Sequence, residues 1–410
     1  MNKRFLYLGI GVHLIYFIIS LILFYFTRYS ETNDFLTYFN AGKIIIEDIN
    51  DLYNQSNYLF PYRYFPISAY FFTPFSMMGL EIGYFTFQIF NLFLTFLCCY
   101  LIYVNAAKIQ SNQLNLKNND LNSRSIKYIT IYLLFFPHFM NYALGQINNL
   151  ITVFLLLALY FFLKNSLIYE LLGGILIGTS ISIKPLAIFI IPFLIIINWN
   201  WKNNKLKIDD KRLFAIVCGL IVPILISVLF FVLYPTLWQG FLDINLSGEY
   251  TEEGINNSIS ITRAILNLFY ILGIQSNKFI VFSIIVLIVA IPGFLIYIFK
   301  KNSNIGINEG LIYGMIIMLL VYFDSWDHHL VSLAPFLSIF LITVNSRVNL
   351  KAKKMIKNFK IGYFLLASIV VPLSGVFFLT YQIFPFNLWA SIFLLIIYIS
   401  LLKYSLLETE

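Results

Sequence analysis

Apolar runs of about 16 to 23 residues recur along the whole chain, and about 20 helical residues cross a bilayer. In lipid every backbone polar group must be satisfied within the segment, so such runs fold as helices. The sequence therefore predicts an all-α polytopic membrane protein. Composition agrees. Of 410 residues 60% are hydrophobic and 11% charged, against about 25% charged in an ordinary soluble domain. The run from Phe5 to about Thr27 has no small-residue cleavage site; it reads as an uncleaved span rather than a signal peptide.

Spans are expected at roughly 5–27, 83–104, 128–143, 148–163, 168–183, 185–198, 213–235, 279–299, 310–323, 328–345, 361–381 and 387–405, about twelve in all at this threshold length. The stretch 264–274 is too short to cross and reads as an interfacial or re-entrant helix. Basic residues test the threading. Lys3 and Arg4, Lys108, Lys117, Arg124 and Lys127, the five basic residues of 199–212, Lys300 and Lys301, and the six of 346–360 all fall on one side. That side is cytoplasmic by the positive-inside rule, and it takes both termini. The net charge of +8 thus reports orientation, not nucleic-acid binding.

The other side carries the long loops. Residues 28–82 and 236–274 are expected as extracytoplasmic loops with interfacial helices, within one transmembrane domain spanning 1–410. Its motif-bearing part is 1–345, and 346–410 adds C-terminal spans. The loops are acid-rich, with Glu249, Glu252 and Glu253 in the second. The cysteines Cys98, Cys99 and Cys218 all fall inside spans and offer neither a disulfide nor a zinc pattern.

Polar residues out of place in this threading collect on the extracytoplasmic face. They are Asp34, the turn GQINN with Gln146 and Asn148, Lys184 before Pro185, NNSISITR with Asn257 and Arg263, and DSWDHH with Trp326, His328 and His329. Each has an ordinary counterpart: a solvated loop carboxylate, a capping turn, a snorkelling lysine, an interfacial anchor. Their convergence in one layer favours a site. A lysine inside about thirty near-continuous apolar residues is costly without a partner.

The set suits a sugar carried on a lipid phosphate. The leaving phosphate is a stable anion, so no general acid is required. A carboxylate must take the acceptor proton, and cations must hold the phosphate. Asp34 fits the base. Lys184, Arg263 and a histidine fit the phosphate, with His328 preferred over His329 as the ring facing the pocket. Amides of Gln146, Asn148 and Asn257 fit sugar hydroxyls. Adjacent histidines on a starting helix diverge by about 100°, so no metal site is expected and no cofactor beyond the donor itself.

The motifs occur in an order that resembles the polyprenol-phosphate-mannose-dependent α-mannosyltransferases of glycosyltransferase family 87, in the GT-C superfamily. These are NDFLTYFNAG, YRYFPISAYFFTPF with Tyr64, Pro66 and Pro74, GQINN, LLGGILIGTSISIKP, NNSISITR and SWDHHLVSLAP. The resemblance covers about 34–336. It implies a GT-C fold, an inverting transfer from a β-linked polyprenyl-phosphate mannose, and an α-mannoside product. Asp34 takes the catalytic aspartate's position, and His328 or His329 that of the histidine near the donor phosphate. Tyr64 and Trp326 are expected at the sugar or acceptor. YFPI replaces the usual second proline, and nothing after about 346 matches, which leaves the acceptor (a glycolipid or glycan) open. Expected partners are the lipid-linked donor, that acceptor and the plasma membrane, with no nucleic acid. Two rivals fit less well. A protein O-mannosyltransferase carries an adjacent acidic pair where this chain has ETND, and a lipid-linked sugar flippase needs polar residues along a path rather than at one face.

Overall fold

The computed structural model describes residues 3–112, 118–196, 199–202, 205–247, 258–299, 305–344, 350–368 and 388–407. Asn257, the three loop glutamates, Lys117, Lys300, Lys301, Arg347 and the second part of the expected span 361–381 lie outside them.

The chain begins with α1 (Lys3–Phe26), then α2 (Asp34–Glu47), α3 (Pro66–Met77), α4 (Leu80–Asn112), α5 (Asn118–Leu133), α6 (Pro137–Ala143), α7 (Asn148–Phe162) and α8 (Leu167–Ile183). A 3-10 turn over Pro185–Ile190 leads into α9 (Ile191–Ile196), and a two-stranded antiparallel hairpin follows, β1 (Trp199–Lys202) with β2 (Lys205–Ile208). Next come α10 (Asp210–Leu233), α11 (Pro235–Leu242), α12 (Ile261–Ile271), α13 (Lys278–Phe299) and α14 (Ile305–Val321). A 3-10 turn over Asp327–His329 starts α15 (Leu330–Thr343), followed by α16 (Leu350–Ser368) and α17 (Trp389–Leu407).

Among the described residues five helices are long and apolar enough to cross a membrane, at Arg4–Phe26, Leu80–Asn112, Asp210–Leu233, Lys278–Ile298 and Trp389–Leu407. The protein is a multi-pass membrane protein. The helices do not reproduce the twelve expected spans one for one. The expected span 128–143 is broken, because α5 stops at Leu133 and α6 restarts at Pro137. Proline has no N–H for the helix ladder but suits a first helical position. The stretch expected as a short helix at 264–274 overlaps α12 (Ile261–Ile271), whose Leu268, Tyr270 and Ile271 are exposed.

Helices α14 and α15 form the centre. Every residue from Leu330 to Thr343 is buried, so α15 is hydrophobic all round and encased. Helix α8 crosses α10 at Gly174, Gly178 and Gly219. A Cβ on Gly174 would run into the Ile216 carbonyl, and one on Gly219 would meet Leu171 backbone. Small residues four apart let membrane helices approach to backbone contact, where packing replaces the missing hydrophobic drive. At one end of this crossing the nearly inaccessible Glu170 pairs with Arg212 at 2.7 Å. Lys184 lies fourteen residues further along, about 20 Å at the helical rise.

The α8–α10 contact generates a test. Gly174→Val should destabilise the protein by about 1–3 kcal/mol, the usual cost of overpacking. Gly11→Val, at a position with nothing within 4 Å of an added Cβ, should not. Thermal unfolding in one detergent measures both, and equal midpoints would contradict the crossing.

Candidate active site

The site starts with the placement of one carboxylate. Asn33 caps α2 by accepting the Leu36 N–H at 3.1 Å, which puts Asp34 in the first turn, where the helix dipole favours a negative charge. The Phe35 N–H donates to the Leu144 carbonyl at 3.2 Å, tying the start of α2 to the turn between α6 and α7. In that turn Gly145 has φ +63° and Phe35 packs where a side chain would sit. A non-glycine residue would suffer both strain and a clash there. The next residue, Gln146, is thereby set against Asp34.

Gln146 then links the site. Its Nε2 donates to the Asp34 carboxylate, and its Oε1 accepts from Lys184 Nζ at 2.9 Å and from the Tyr38 hydroxyl at 3.0 Å. Lys184 also donates to Asn148 Oδ1 at 2.9 Å. The Asn148 amide in turn donates to Asn141 Oδ1 and to the His328 carbonyl, both at 3.1 Å. The amide fixes its own orientation: its nitrogen faces a carboxylate and its oxygen an ammonium. Lys184 is buried, and it sits where α8 ends and Pro185 begins a 3-10 turn. Its ammonium meets two side-chain oxygens in place of water, the compensation a buried charge needs.

Asp34 keeps some surface accessible although its carboxyl is enclosed. Burial pushes that carboxyl above the ordinary aspartate range, opposed by the Gln146 hydrogen bond and the Lys184 charge.

The two histidines divide their roles. The Trp326 N–H donates to His329 Nδ1 at 3.1 Å and the His329 N–H returns to the Trp326 carbonyl at 2.9 Å. Nδ1 is thus an acceptor, so a neutral His329 carries its proton on Nε2. A small cavity is lined by His329, Lys184, Asn148 and Ser332, with Met315 and Met318 among its apolar walls. His328 does not line it. Its ring packs edge-on against His329, centroids 4.4 Å apart, and its carbonyl serves Asn148. The sequence analysis preferred His328; of the two rings it is His329 that lines this cavity, on a 3-10 turn rather than a plain helix start.

Tyr64 joins through its hydroxyl, 3.0 Å from that of Tyr38, with Lys184 Nζ 6.0 Å from its ring centroid. Trp326 contributes its backbone to the turn. Arg263 is buried in the first turn of α12, and its chain neighbours tie that turn to the 321–325 segment. Thr262 donates to the Val321 carbonyl at 2.6 Å and Ile259 to that of Ser325 at 2.8 Å. Arg63 pairs there with Asp324. Sequence reasoning missed Tyr38, Asn141 and Arg63. Among the described residues no three His, Cys, Asp or Glu side chains group as metal ligands would.

The profile of glycosyltransferase family 87 matches residues 62–322, well over half of the chain. The chain belongs to glycosyltransferase family 87. It is a membrane glycosyltransferase, in keeping with the motif order from Asp34 to His329. No curated protein matches the sequence. Among solved structures, the chain is similar to ArnT from Cupriavidus metallidurans bound to undecaprenyl phosphate, at 10% identity and TM-score 0.45, covering 100% of this chain and 78% of that one. The apo ArnT structure gives 13% identity and TM-score 0.45, covering 99% and 77%.

The Asp34 environment generates a test. Infrared titration should show its protonated carboxyl band persisting above the ordinary aspartate pKa of about 3.9. Gln146→Leu removes a bond that favours the ionised form, so it should move the midpoint higher still. A midpoint at the ordinary value, or one unmoved by Gln146→Leu, would contradict this geometry.

Proposed function

We propose that this glycosyltransferase moves mannose from a polyprenyl-phosphate mannose to an acceptor hydroxyl on the extracytoplasmic face, with inversion. The observation that carries the reading is the single amide of Gln146, which holds a carboxylate on one side and a buried ammonium on the other. Base and phosphate cation are thereby set in one hydrogen-bonded chain.

In this reading Asp34 accepts the proton of the acceptor hydroxyl as its oxygen attacks the sugar C1. The C1–O bond to phosphate breaks on the opposite face, and polyprenyl phosphate leaves as an anion. Lys184 and the Nε2–H of His329 face that anion across their shared cavity. Preorganised donors in a water-poor site stabilise developing charge far better than water does. The apolar walls, including Leu155, Ile190, Met315 and Met318, suit the isoprenoid end of the donor. Attack opposite the leaving group converts a β-linked donor to an α-mannoside. Gln146, Asn148, Tyr64 and Trp326 are proposed to contact sugar or acceptor, and no step is routed through a metal. The positive-inside pattern supports cytoplasmic termini and a site on the far side, and the membrane is proposed to be the plasma membrane.

Asp34→Asn tests the base. It keeps the volume and the contact with Gln146 while losing proton affinity. Reconstituted vesicles supplied with polyprenyl-phosphate mannose should lose transfer by about a hundredfold or more, the range of general-base removal. Donor binding should survive. Transfer near the wild-type rate would remove Asp34 from this role, and lipid movement across the bilayer without transfer would replace the reading with a flippase.

A further inference from the structure

The most basic helix of the protein lies far along the chain from the candidate active site. Helix α16 carries Lys351, Lys353, Lys354, Lys357 and Lys360 in its first three turns, and no Asp or Glu occurs from 350 to 368. All of these lysines are exposed. Among the described residues none of them takes part in an ion pair.

The opposite face of α16 is fixed by packing. Ala352, Ile356, Phe359 and Tyr363 are buried. The Phe359 ring lies 4.7 Å from that of Phe340 on α15, centroid to centroid, and the Tyr363 hydroxyl is 2.7 Å from that of Ser338. Gly362 sits so close to α17 that an added Cβ would come within 2.7 Å of the Ile397 side chain. These contacts set the rotation of the helix. At about 100° per residue, Lys353, Lys354, Lys357, Lys360, Ile361 and Phe364 then share one outward face, roughly 120° wide. Ile361 and Phe364 are exposed as well. Lys351 falls outside that face.

The face is ordered along its length, with lysines first and apolar side chains after them. From Lys353 to Lys360 the helix rises about 10 Å, enough to cross the polar headgroup layer of one leaflet, about 5–8 Å thick. Ile361 and Phe364 follow where the expected span begins. Membrane orientation requires only that basic residues lie on one side. It does not require four of them on one helical face, three and four residues apart, where like charges repel. A row of this kind with no carboxylate partner among the described residues is complementary to an anion, and the apolar residues that continue it are complementary to a hydrocarbon chain. An acidic protein segment would use the lysines and leave Ile361 and Phe364 bare.

We propose that this face of α16 binds an anionic phospholipid of the adjoining leaflet. Lys353, Lys357 and Lys360 hold the headgroup phosphate, and an acyl chain lies along Ile361 and Phe364. In the orientation proposed above the leaflet is the cytoplasmic one. The binding itself depends neither on that orientation nor on the transfer reaction.

Native mass spectrometry of the full chain in detergent can count the bound lipid. The probes are dioctanoyl phosphatidylglycerol, its zwitterionic counterpart dioctanoyl phosphatidylcholine, and glycerol phosphate as the headgroup without chains. Phosphatidylglycerol should bind more tightly than either of the others. Lys357→Gln should weaken it by about fivefold, the worth of one basic residue near an anionic lipid surface. Lys351→Gln removes the same charge off the face and should change binding by less than about twofold on the same scale. Phe364→Ala should weaken phosphatidylglycerol and leave glycerol phosphate unchanged. Equal binding of the two lipids, or equal losses from Lys351→Gln and Lys357→Gln, would reduce the face to diffuse charge and overturn the site. Glycerol phosphate binding as tightly as phosphatidylglycerol, or no effect of Phe364→Ala, would overturn the lipid as occupant. A polyglutamate peptide that displaces phosphatidylglycerol and ignores Phe364→Ala would assign the face to an acidic protein instead. Asp34→Asn should bind phosphatidylglycerol as the wild type does, so a failed base assignment and a failed lipid site give different results.

Discussion

The structure turns on the side-chain amide of Gln146. A carboxylate and an ammonium in a low-dielectric interior attract strongly, but each is costly to desolvate. An amide between them offers the carboxylate a donor and the ammonium an acceptor. It keeps the charges apart, so neither is consumed by a direct ion pair. Asp34 stays available to a proton and Lys184 to an anion. A salt bridge at the same place would be more self-sufficient and less useful.

That amide needs a rigid support. Its backbone is held at both groups: the Gln146 N–H donates to the Asn141 carbonyl at 2.8 Å, and its carbonyl accepts from Asn91 and Asn141 amides. A buried polar chain continues the support away from the site. Asn149 donates to Thr95 Oγ1 at 3.1 Å, Thr95 Oγ1 lies 3.0 Å from the Tyr142 hydroxyl, and that hydroxyl is 2.8 Å from His13 Nε2. The other ring nitrogen of His13 faces the Leu133 carbonyl, so it must donate, and Nε2 must accept from Tyr142. Four helices, α1, α4, α6 and α7, thus brace one turn. Buried hydrogen-bond networks of this kind restrict the packing their members can adopt.

How much of this could be read from the sequence follows from the same energetics. Lys184 stood out because an ammonium in an apolar run has few bland explanations, and its partners turned out to be the amides of the GQINN turn. Asp34 was legible by its place after the first span. Gly145 marked a turn, and the turn proved to need its positive φ. Other features were hidden by ordinary chemistry. Tyr38 is one tyrosine among 28, and only its contact with Gln146 distinguishes it. Arg63 looked like any loop charge because its partner, Asp324, is 261 residues away. The choice between His328 and His329 depended on a 3-10 turn closed by a backbone-to-ring hydrogen bond, which periodicity does not reveal. The break before Pro137 was masked by apolar residues on both sides.

The central claim is that Gln146 makes Asp34 and Lys184 one unit, and a double-mutant cycle on transfer rate tests it most directly. The cycle compares Gln146→Leu, Lys184→Met and the double variant in vesicles with polyprenyl-phosphate mannose. The account predicts strong non-additivity, with the double variant little worse than either single one and a coupling of about 1–3 kcal/mol, as for residues in one hydrogen-bonded network. Losses that add to within about 0.5 kcal/mol, the behaviour of independent sites, would contradict it.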